Sequence, residues 1–316
     1  MNNLLVTGYS GFVGSHFLKT YGNSDNVNLL GRSTPPQCST YLNASIDTKS
    51  DYYSVLTGMD VVVHIAARVH VMKDTVRNPL EEYREVNTCG TINLARQAAK
   101  VGVKRFIFLS SIKVNGDSTS LDWPFTYADA HAPGDDYGLS KSEAEQQLFD
   151  IGKESGMEIV VIRPPLVYGP GVKANFASLM NLVAKGVPLP FGCIHNNRRS
   201  LVSIVNLVDL MMTCIDHPKA ANQVFLVSDG HDISTSDMVK KMANAIGKPI
   251  WQLPIPVWGY RMVGNLFGKS DVVDRLVGSL QVDISHTKET LGWKPPQSID
   301  DGFKETAKAF LRAKEK

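Results

Sequence analysis

Tyr137 and Lys141 stand four residues apart in Tyr137-Gly-Leu-Ser-Lys141, a stretch that opens a helical run through Ser142-Glu-Ala-Glu-Gln-Gln-Leu. That spacing brings both side chains to one helical face, one turn apart. A free phenol titrates at about 10, and a neighbouring ammonium stabilises the phenolate and lowers that value. Such a tyrosine takes a proton from an alcohol, or returns one to a ketone, near neutral pH. Tyr-x-x-x-Lys also occurs as an ordinary pair on solvated helices, so its companions decide its meaning. One companion is Leu109-Ser110-Ser111, which ends a strand-like segment about one helix earlier. A serine hydroxyl there would hydrogen-bond the reacting oxygen.

A second companion is the turn Gly8-Tyr-Ser-Gly11-Phe12-Val13-Gly14, between strand-like Leu4–Thr7 and a helical run over Phe12–Tyr21. Without side chains the backbone turns tightly and can approach a pyrophosphate, while the head of the helix supplies amide donors. A three-glycine pattern alone is weak, but here it lies between a strand and a helix and a βαβ pattern follows. Serine, tyrosine, lysine and the glycine turn together predict hydride chemistry on a bound dinucleotide. The usual NAD site ends its second strand in a carboxylate that holds the ribose. Here that segment reads Leu29-Leu30-Gly31-Arg32-Ser33. Arg32 would pair with a 2′-phosphate and Ser33 would add a donor, which leans towards NADP over NAD. A solvated loop arginine is the plain alternative.

These groups need a scaffold. Val27–Leu30, Asp60–Ile65, Phe106–Leu109 and Ile159–Ile162 read as further strands separated by helical patterns, which predicts βαβ units and a parallel sheet. Asn78-Pro79 reads as an N-cap with proline at the first helical position, opening a long helix to about Lys100. After Arg163-Pro164-Pro165, proline and glycine become frequent and the elements shorter and mostly helical. Ile299–Leu311 reads as a last helix behind a Ser298 cap. The expected fold is α/β: a Rossmann-type doubly wound parallel sheet over residues 1–171 for the dinucleotide, and a smaller, mostly helical substrate-binding domain over 172–316. Leu201–Val205 and Gln223–Val227 read as strands, so part of 201–227 is open to rejoining the sheet.

The chain has 316 residues, 43% hydrophobic and 20% charged, with a formal charge of +2. Near charge balance gives no reason to expect nucleic acid or an anionic membrane as partner. No apolar run is long enough to cross a bilayer, and no secretory leader is expected. Cys38, Cys89, Cys193 and Cys214 are scattered, as reduced thiols of a cytoplasmic protein are. His64 and His70 lack a supporting carboxylate cluster, so no metal is expected. Met211-Met212 reads as core packing, and Trp251 and Trp258 as packing of the smaller lobe.

At this point the sequence resembles the extended short-chain dehydrogenases/reductases, in the NAD(P)-dependent sugar epimerase/dehydratase group that includes UDP-hexose 4-epimerases. The resemblance rests on Thr-Gly-x-x-Gly-x-x-Gly, Val-Val-His64-Ile-Ala66-Ala67, Val-Asn87-Thr-Cys-Gly-Thr, Ser-Ser111-Ile-Lys-Val-Asn-Gly116, Tyr137-x-x-x-Lys141, Arg163-Pro164-Pro-Leu-Val-Tyr-Gly-Pro-Gly171, Arg199-Ser-Leu-Val-Ser-Ile-Val-Asn-Leu-Val-Asp209 and Leu-Gly-Trp293-Lys-Pro. It implies Ser111, Tyr137 and Lys141 as catalytic residues, Ser111 being selected over Ser110 by counting back from Gly116. It implies Gly8, Gly11, Phe12, Val13, Gly14, Ala66, Ala67 and Asn87 along the dinucleotide, with Pro164 and Leu166 flanking the nicotinamide. Asn175 and Arg199 would contact a sugar nucleotide, Arg199 with a planar fork suited to phosphate. Arg275 is a further phosphate candidate, and Lys113 beside the serine could meet a phosphate or carboxylate. Solvent exposure is the plain alternative for both. The family also implies a homodimer through the helices near Pro79–Lys100 and Tyr137–Ser155.

Three departures bear on the net reaction. Asn115 stands where Tyr is usual after the serine, Leu166 replaces an Asn, and Gly31-Arg32 replaces the acidic strand end. The leading expectation is a UDP-hexose or UDP-N-acetylhexosamine 4-epimerase working through a 4-keto sugar. The alternative is an NADPH-dependent reductase of a UDP-4-keto-6-deoxy-hexose or -N-acetylhexose, and a remoter one is a dinucleotide sensor without catalysis.

Overall fold

Leu4, Leu5 and Val6 are fully buried, as are Val62 and Val63, Phe106 to Phe108, and Ile159 to Ile162. Burial on consecutive residues, with no alternation, marks parallel strands covered on both faces. The computed structural model describes residues 2–21, 26–35, 40–69 and 78–315. In chain order its first part runs β1 (Leu4–Thr7), α1 (Phe12–Tyr21), β2 (Val27–Gly31), β3 (Thr40–Asn43), α2 (Tyr53–Leu56), β4 (Val61–His64), α3 (Pro79–Tyr83), α4 (Thr91–Lys100), β5 (Arg105–Leu109), α5 (Asp136–Ser155) and β6 (Glu158–Arg163). Then come β7 (Leu166–Tyr168), α6 (Ala174–Ala184), β8 (Arg199–Ser203), α7 (Ile204–Asp216), β9 (Gln223–Leu226), β10 (Asp232–Ile233), α8 (Thr235–Ile246), α9 (Val257–Leu266), α10 (Ser270–Val277), α11 (Ser285–Leu291) and α12 (Ile299–Lys314).

Seven strands form one sheet in the order β3-β2-β1-β4-β5-β6-β9, and every pairing in it is parallel. Successive residues of a strand feed opposite faces. Leu4, Val6, Val63 and Ile107 join Phe17 and the α7 residues Leu207 and Met211 in one core. Leu5, Val62, Phe106 and Phe108 join Leu94, Ala98 and Leu148 in the other. From β1 the chain runs outward to β2 and β3, then returns to β4 on the other side. That reversal opens a crevice at the carboxyl ends of β1 and β4, where such sheets bind ligands.

A second, three-stranded sheet has the order β10-β8-β7. Its core is Tyr168, Phe176, Met180, Val239, Met242 and Phe303, from β7, α6, α8 and α12. Ser298 caps α12 by accepting from the Asp301 amide.

The differences from the sequence reading have local causes. β3 was not foreseen: its residues are mostly exposed on the sheet edge, so no buried pattern announces it. The strand expected at Leu201–Val205 is Arg199–Ser203 and belongs to the small sheet. It stops because the Ser203 hydroxyl accepts from the Asn206 amide at 3.1 Å and starts α7. Gln223–Leu226 does extend the large sheet, paired with β6. Asn78 makes no side-chain cap, although Pro79 does head α3. The helix expected over Pro79–Lys100 carries a π-helical stretch, Arg84–Gly90, between α3 and α4. Trp251 and Trp258 are exposed, so they do not pack the smaller lobe as expected.

Candidate active site

Asp135 starts α5: its carboxylate accepts from the Gly138 amide at 2.7 Å, which fixes where Tyr137 leaves the loop. Two residues beyond β5, the Ser111 side chain lies at the Tyr137 phenol and favours its ionised form. Ser110 turns the other way and its hydroxyl donates to the Glu145 carboxylate. Of the two serines, Ser111 is therefore the one at the tyrosine. Burial of the phenol pushes Tyr137 up to about 12, the Asp135 charge adds to this, and Ser111 opposes it.

Lys141 lies one turn further along α5, but its ammonium does not address the phenol. Nζ donates to the Leu109 carbonyl at 2.9 Å and sits 4.3 Å from the Phe108 ring centroid. A buried ammonium without an anion in contact takes the nearest carbonyl and aromatic face. Burial brings Lys141 down to about 7, with the Glu145 charge opposing. The expected lowering of the phenol by Lys141 is thus not met in this geometry.

Behind the pair lies a buried ionic cluster that sequence reasoning did not single out. Arg163, the last residue of β6, donates from Nε to both Glu145 oxygens at 3.1 Å and from Nη2 to Oε2 at 2.5 Å. Its Nη1 donates to Asn115 Oδ1 at 2.9 Å, and Nη2 to His131 Nε2 at 2.6 Å. A guanidinium only donates, so His131 accepts there and carries its proton on Nδ1, which donates to Ser142 Oγ at 2.8 Å. His131 is held below its ordinary value by burial first; Glu145 opposes and Arg163 reinforces the shift. The signal in the sequence was the period: Tyr137, Lys141 and Glu145 recur every four residues on α5.

The glycine turn has the expected tightness. Gly8 has φ +70°, and a Cβ there would lie 2.6 Å from the Ala66 amide nitrogen. A Cβ on Gly14 would lie 2.6 Å from Tyr9 Cα and closer still to the Gly8 carbonyl oxygen. Gly11 donates its amide to the Gly8 carbonyl at 3.0 Å. Phe12 and Val13 head α1, where first-turn amides lack helical acceptors. Thr7 Oγ1 accepts from the Ile65 and Ala66 amides at 3.2 and 3.1 Å, holding the strand-end segment of Ala66 and Ala67 beside the turn. This side-chain-free cradle between β1 and β4 fits a dinucleotide pyrophosphate. Asn87 shapes the wall: its amide donates to the Arg68 carbonyl and to Ser140 Oγ, both at 3.0 Å, and its oxygen accepts from the Arg68 amide. Pro164 is buried and Leu166 exposed.

At the end of β2, a Cβ on Gly31 would lie 2.9 Å from the Tyr9 ring, and the Tyr9 hydroxyl donates to the Ser33 carbonyl. Tyr9 occupies the place where a longer residue at position 31 would begin. Arg32 and Ser33 are exposed beside it.

Of the substrate candidates, Arg199 and Arg275 come together. Arg199 Nη1 donates to the Arg275 and Gly278 carbonyls at 2.6 and 3.2 Å, seating a cation at the carboxyl end of α10. Burial lowers the Arg199 pKa, and the Arg275 side chain is exposed. Lys113 pairs with Asp117 and, at 3.2 Å, with Asp135. The Asn175 side chain, His70 and Cys38 lie outside the described residues. His64 uses both ring nitrogens, to Thr7 Oγ1 at 2.8 Å and Thr91 Oγ1 at 2.9 Å, and burial holds it at about 3. Among the described residues no group of three His, Cys, Asp or Glu side chains is placed to hold a metal. No described helix is long and apolar enough to cross a membrane.

Comparison with known proteins places this geometry among relatives. The model of the NAD dependent epimerase/dehydratase family matches residues 4–228. The chain is 61% identical over 315 residues to a UDP-glucose 4-epimerase of Vibrio cholerae, covering 98% of this chain and 96% of that one. It is 27% identical to the N-acetyl-alpha-D-glucosaminyl-diphospho-ditrans,octacis-undecaprenol 4-epimerase of Escherichia coli O157:H7, over 99% and 97% of the two chains. The solved UDP-glucose 4-epimerase of Thermotoga maritima with UDP-glucose matches with a TM-score of 0.77 at 23% identity, over 98% of this chain and 99% of that one. At that identity the likeness shows a shared fold.

Proposed function

The chain belongs to the NAD dependent epimerase/dehydratase family, and from that premise we propose that it is an NAD(P)-dependent 4-epimerase of a UDP-hexose or UDP-N-acetylhexosamine. One observation carries the reading: a buried Tyr137 phenol with the Ser111 side chain beside it, in a chain 61% identical to a UDP-glucose 4-epimerase along almost its whole length.

In this reading the Tyr137 oxygen takes the proton of the sugar C4 hydroxyl and later returns it, while Ser111 hydrogen-bonds the same oxygen. Lys141 holds positive charge behind the pair. The nicotinamide, when bound, supplies the hydride exchange at C4. Once oxidised, the sugar turns its other face, and Tyr137 delivers the proton to the epimeric alcohol. Gly8, Gly11, Phe12, Val13, Gly14, Ala66 and Ala67 would cradle the pyrophosphate, with Asn87 positioning that wall. Pro164 and Leu166 would flank the nicotinamide. Arg199 would meet the sugar-nucleotide diphosphate, with Asn175, Arg275 and Lys113 as further contacts. Residues 1–171, with α7 and β9 returning to the large sheet, would hold the cofactor, and the rest of 172–316 the substrate. A homodimer through the α3–α4 and α5 helices belongs to the same proposal.

A second reading rests on a specific observation. Gly31 leaves no carboxylate for the ribose, its place is filled by Tyr9, and Arg32 stands exposed next to it. That arrangement favours NADP, and an exchangeable NADPH suits a reductase of a 4-keto nucleotide sugar. Release and identification of any bound dinucleotide, followed by supply of UDP-glucose and UDP-N-acetylglucosamine, separates the two. The epimerase yields the C4 epimer with no net change in nicotinamide absorbance. An empty site, no epimer, and NADPH oxidation on a 4-keto nucleotide sugar would overturn it in favour of the reductase.

A further inference from the structure

Trp258, Met262 and Leu266 recur every four residues along α9 and form one stripe. They are 68%, 61% and 78% exposed, and Phe267, next in the chain, is 69% exposed; Trp251, earlier in the same stretch, is 62% exposed. Gly264 is the buried residue of α9, so this helix is held by little of its own surface. An apolar groove continues the patch, lined by Ile255, Tyr260, Val263, Phe267, Val272 and Val273. Contiguous apolar surface of this kind marks an interaction face.

The charges in this stretch of chain, with Lys269 lining the groove, say what covers it. Lys248, Arg261 and Lys269 are exposed, none is ion-paired among the described residues, and no carboxylate occurs between Asp237 and Asp271. A second copy docking by two-fold symmetry would bring these three cations against the same three cations. A surface of negative phosphates would neutralise them. Exposed tryptophans and an apolar helix face in a stretch with cations and no carboxylate are the composition of a segment lying at the headgroup boundary of an anionic bilayer. We propose that α9 and its flanks, Lys248 to Lys269, dock the protein peripherally on an anionic phospholipid membrane. The near-balanced bulk charge hides this, because this stretch carries cations and no carboxylate. Docking there would leave the carboxyl end of α10, where Arg199 is seated, next to the membrane.

The test is flotation of the full chain with vesicles of phosphatidylethanolamine and phosphatidylglycerol, against vesicles of phosphatidylcholine alone. The proposal expects binding about tenfold stronger on the anionic vesicles, weakening as salt is raised. Trp258→Glu with Leu266→Glu should lose that binding with the melting temperature unchanged, and Lys248→Glu with Lys269→Glu should lose its anion dependence. Trp258→Phe should keep both. Equal binding to the two vesicle types, or none, overturns the proposal. So does concentration-dependent self-association that the Trp258→Glu, Leu266→Glu variant abolishes, since a second copy would then cover the face. None of these outcomes depends on which sugar the protein turns over.

Discussion

Tyr137 at about 12 and Lys141 at about 7 are each displaced by burial in the direction that disfavours charge. For Lys141 the sign has a consequence for stability. The unfolded chain binds the lysine proton up to about 10.5 and the folded chain only up to about 7, so stability rises with pH across that window and the penalty is full below it. Lys141→Met should therefore raise the melting temperature by a few degrees at pH 6, with the gain shrinking towards pH 10, while turnover falls by about 10²-fold or more. A pH-independent difference in melting temperature would contradict that assignment. At the other end of the crevice, Arg32→Ala should weaken NADP(H) binding by about ten- to a hundredfold and leave NAD unchanged. Titration calorimetry with both dinucleotides checks this, and equal effects on the two would make Arg32 a solvated loop residue. The Tyr137–Lys141 spacing was legible in the sequence because a helix turns a four-residue interval into one face. The direction of the Lys141 ammonium was not, because its acceptor is a main-chain carbonyl of β5, which no residue type encodes.

Helix α5 joins proton chemistry to a buried charge cluster. Glu145, one turn beyond Lys141, neutralises Arg163 at the end of β6 and accepts from Ser110, the neighbour of Ser111. Glu145→Gln leaves a buried guanidinium without its anion and should cost about 3–5 kcal/mol. Urea unfolding measures it, and the paired change Glu145→Met with Arg163→Met should be milder than the single one. A single variant as stable as the parent would show that Asn115 and His131 suffice to hold Arg163. The central strands were legible because continuous burial imposes unbroken apolar runs, and so was α12, whose Ser298 cap precedes an apolar period. Strand β3 was illegible because an exposed edge imposes no pattern on Thr-Tyr-Leu-Asn. The π-helical Arg84–Gly90 was illegible because one widened turn leaves the surrounding helical period almost intact. It carries Asn87, and such widened turns recur at functional sites.

Taken whole, the molecule sets a cofactor crevice on a seven-stranded sheet beside a lobe built on β10-β8-β7, with Arg199 on its middle strand. The fold class and the glycine turn followed from the order of elements. The surface nature of Trp251 and Trp258 did not, because proline-rich surroundings suit a packed lobe and an exposed rim alike. A dimer through α3–α4 and α5 predicts twice the chain mass by sedimentation at micromolar concentration, and a clean monomer there would remove it. The most direct test of the central claim uses UDP-glucose and UDP-N-acetylglucosamine carrying deuterium at C4, followed by NMR. The epimerase reading predicts conversion of at least one to its C4 epimer with the deuterium still at C4, and a loss of that conversion by about 10²–10⁴-fold in Tyr137→Phe. No epimer from either sugar in protein with its dinucleotide bound, or an epimer formed equally well by Tyr137→Phe, would contradict it.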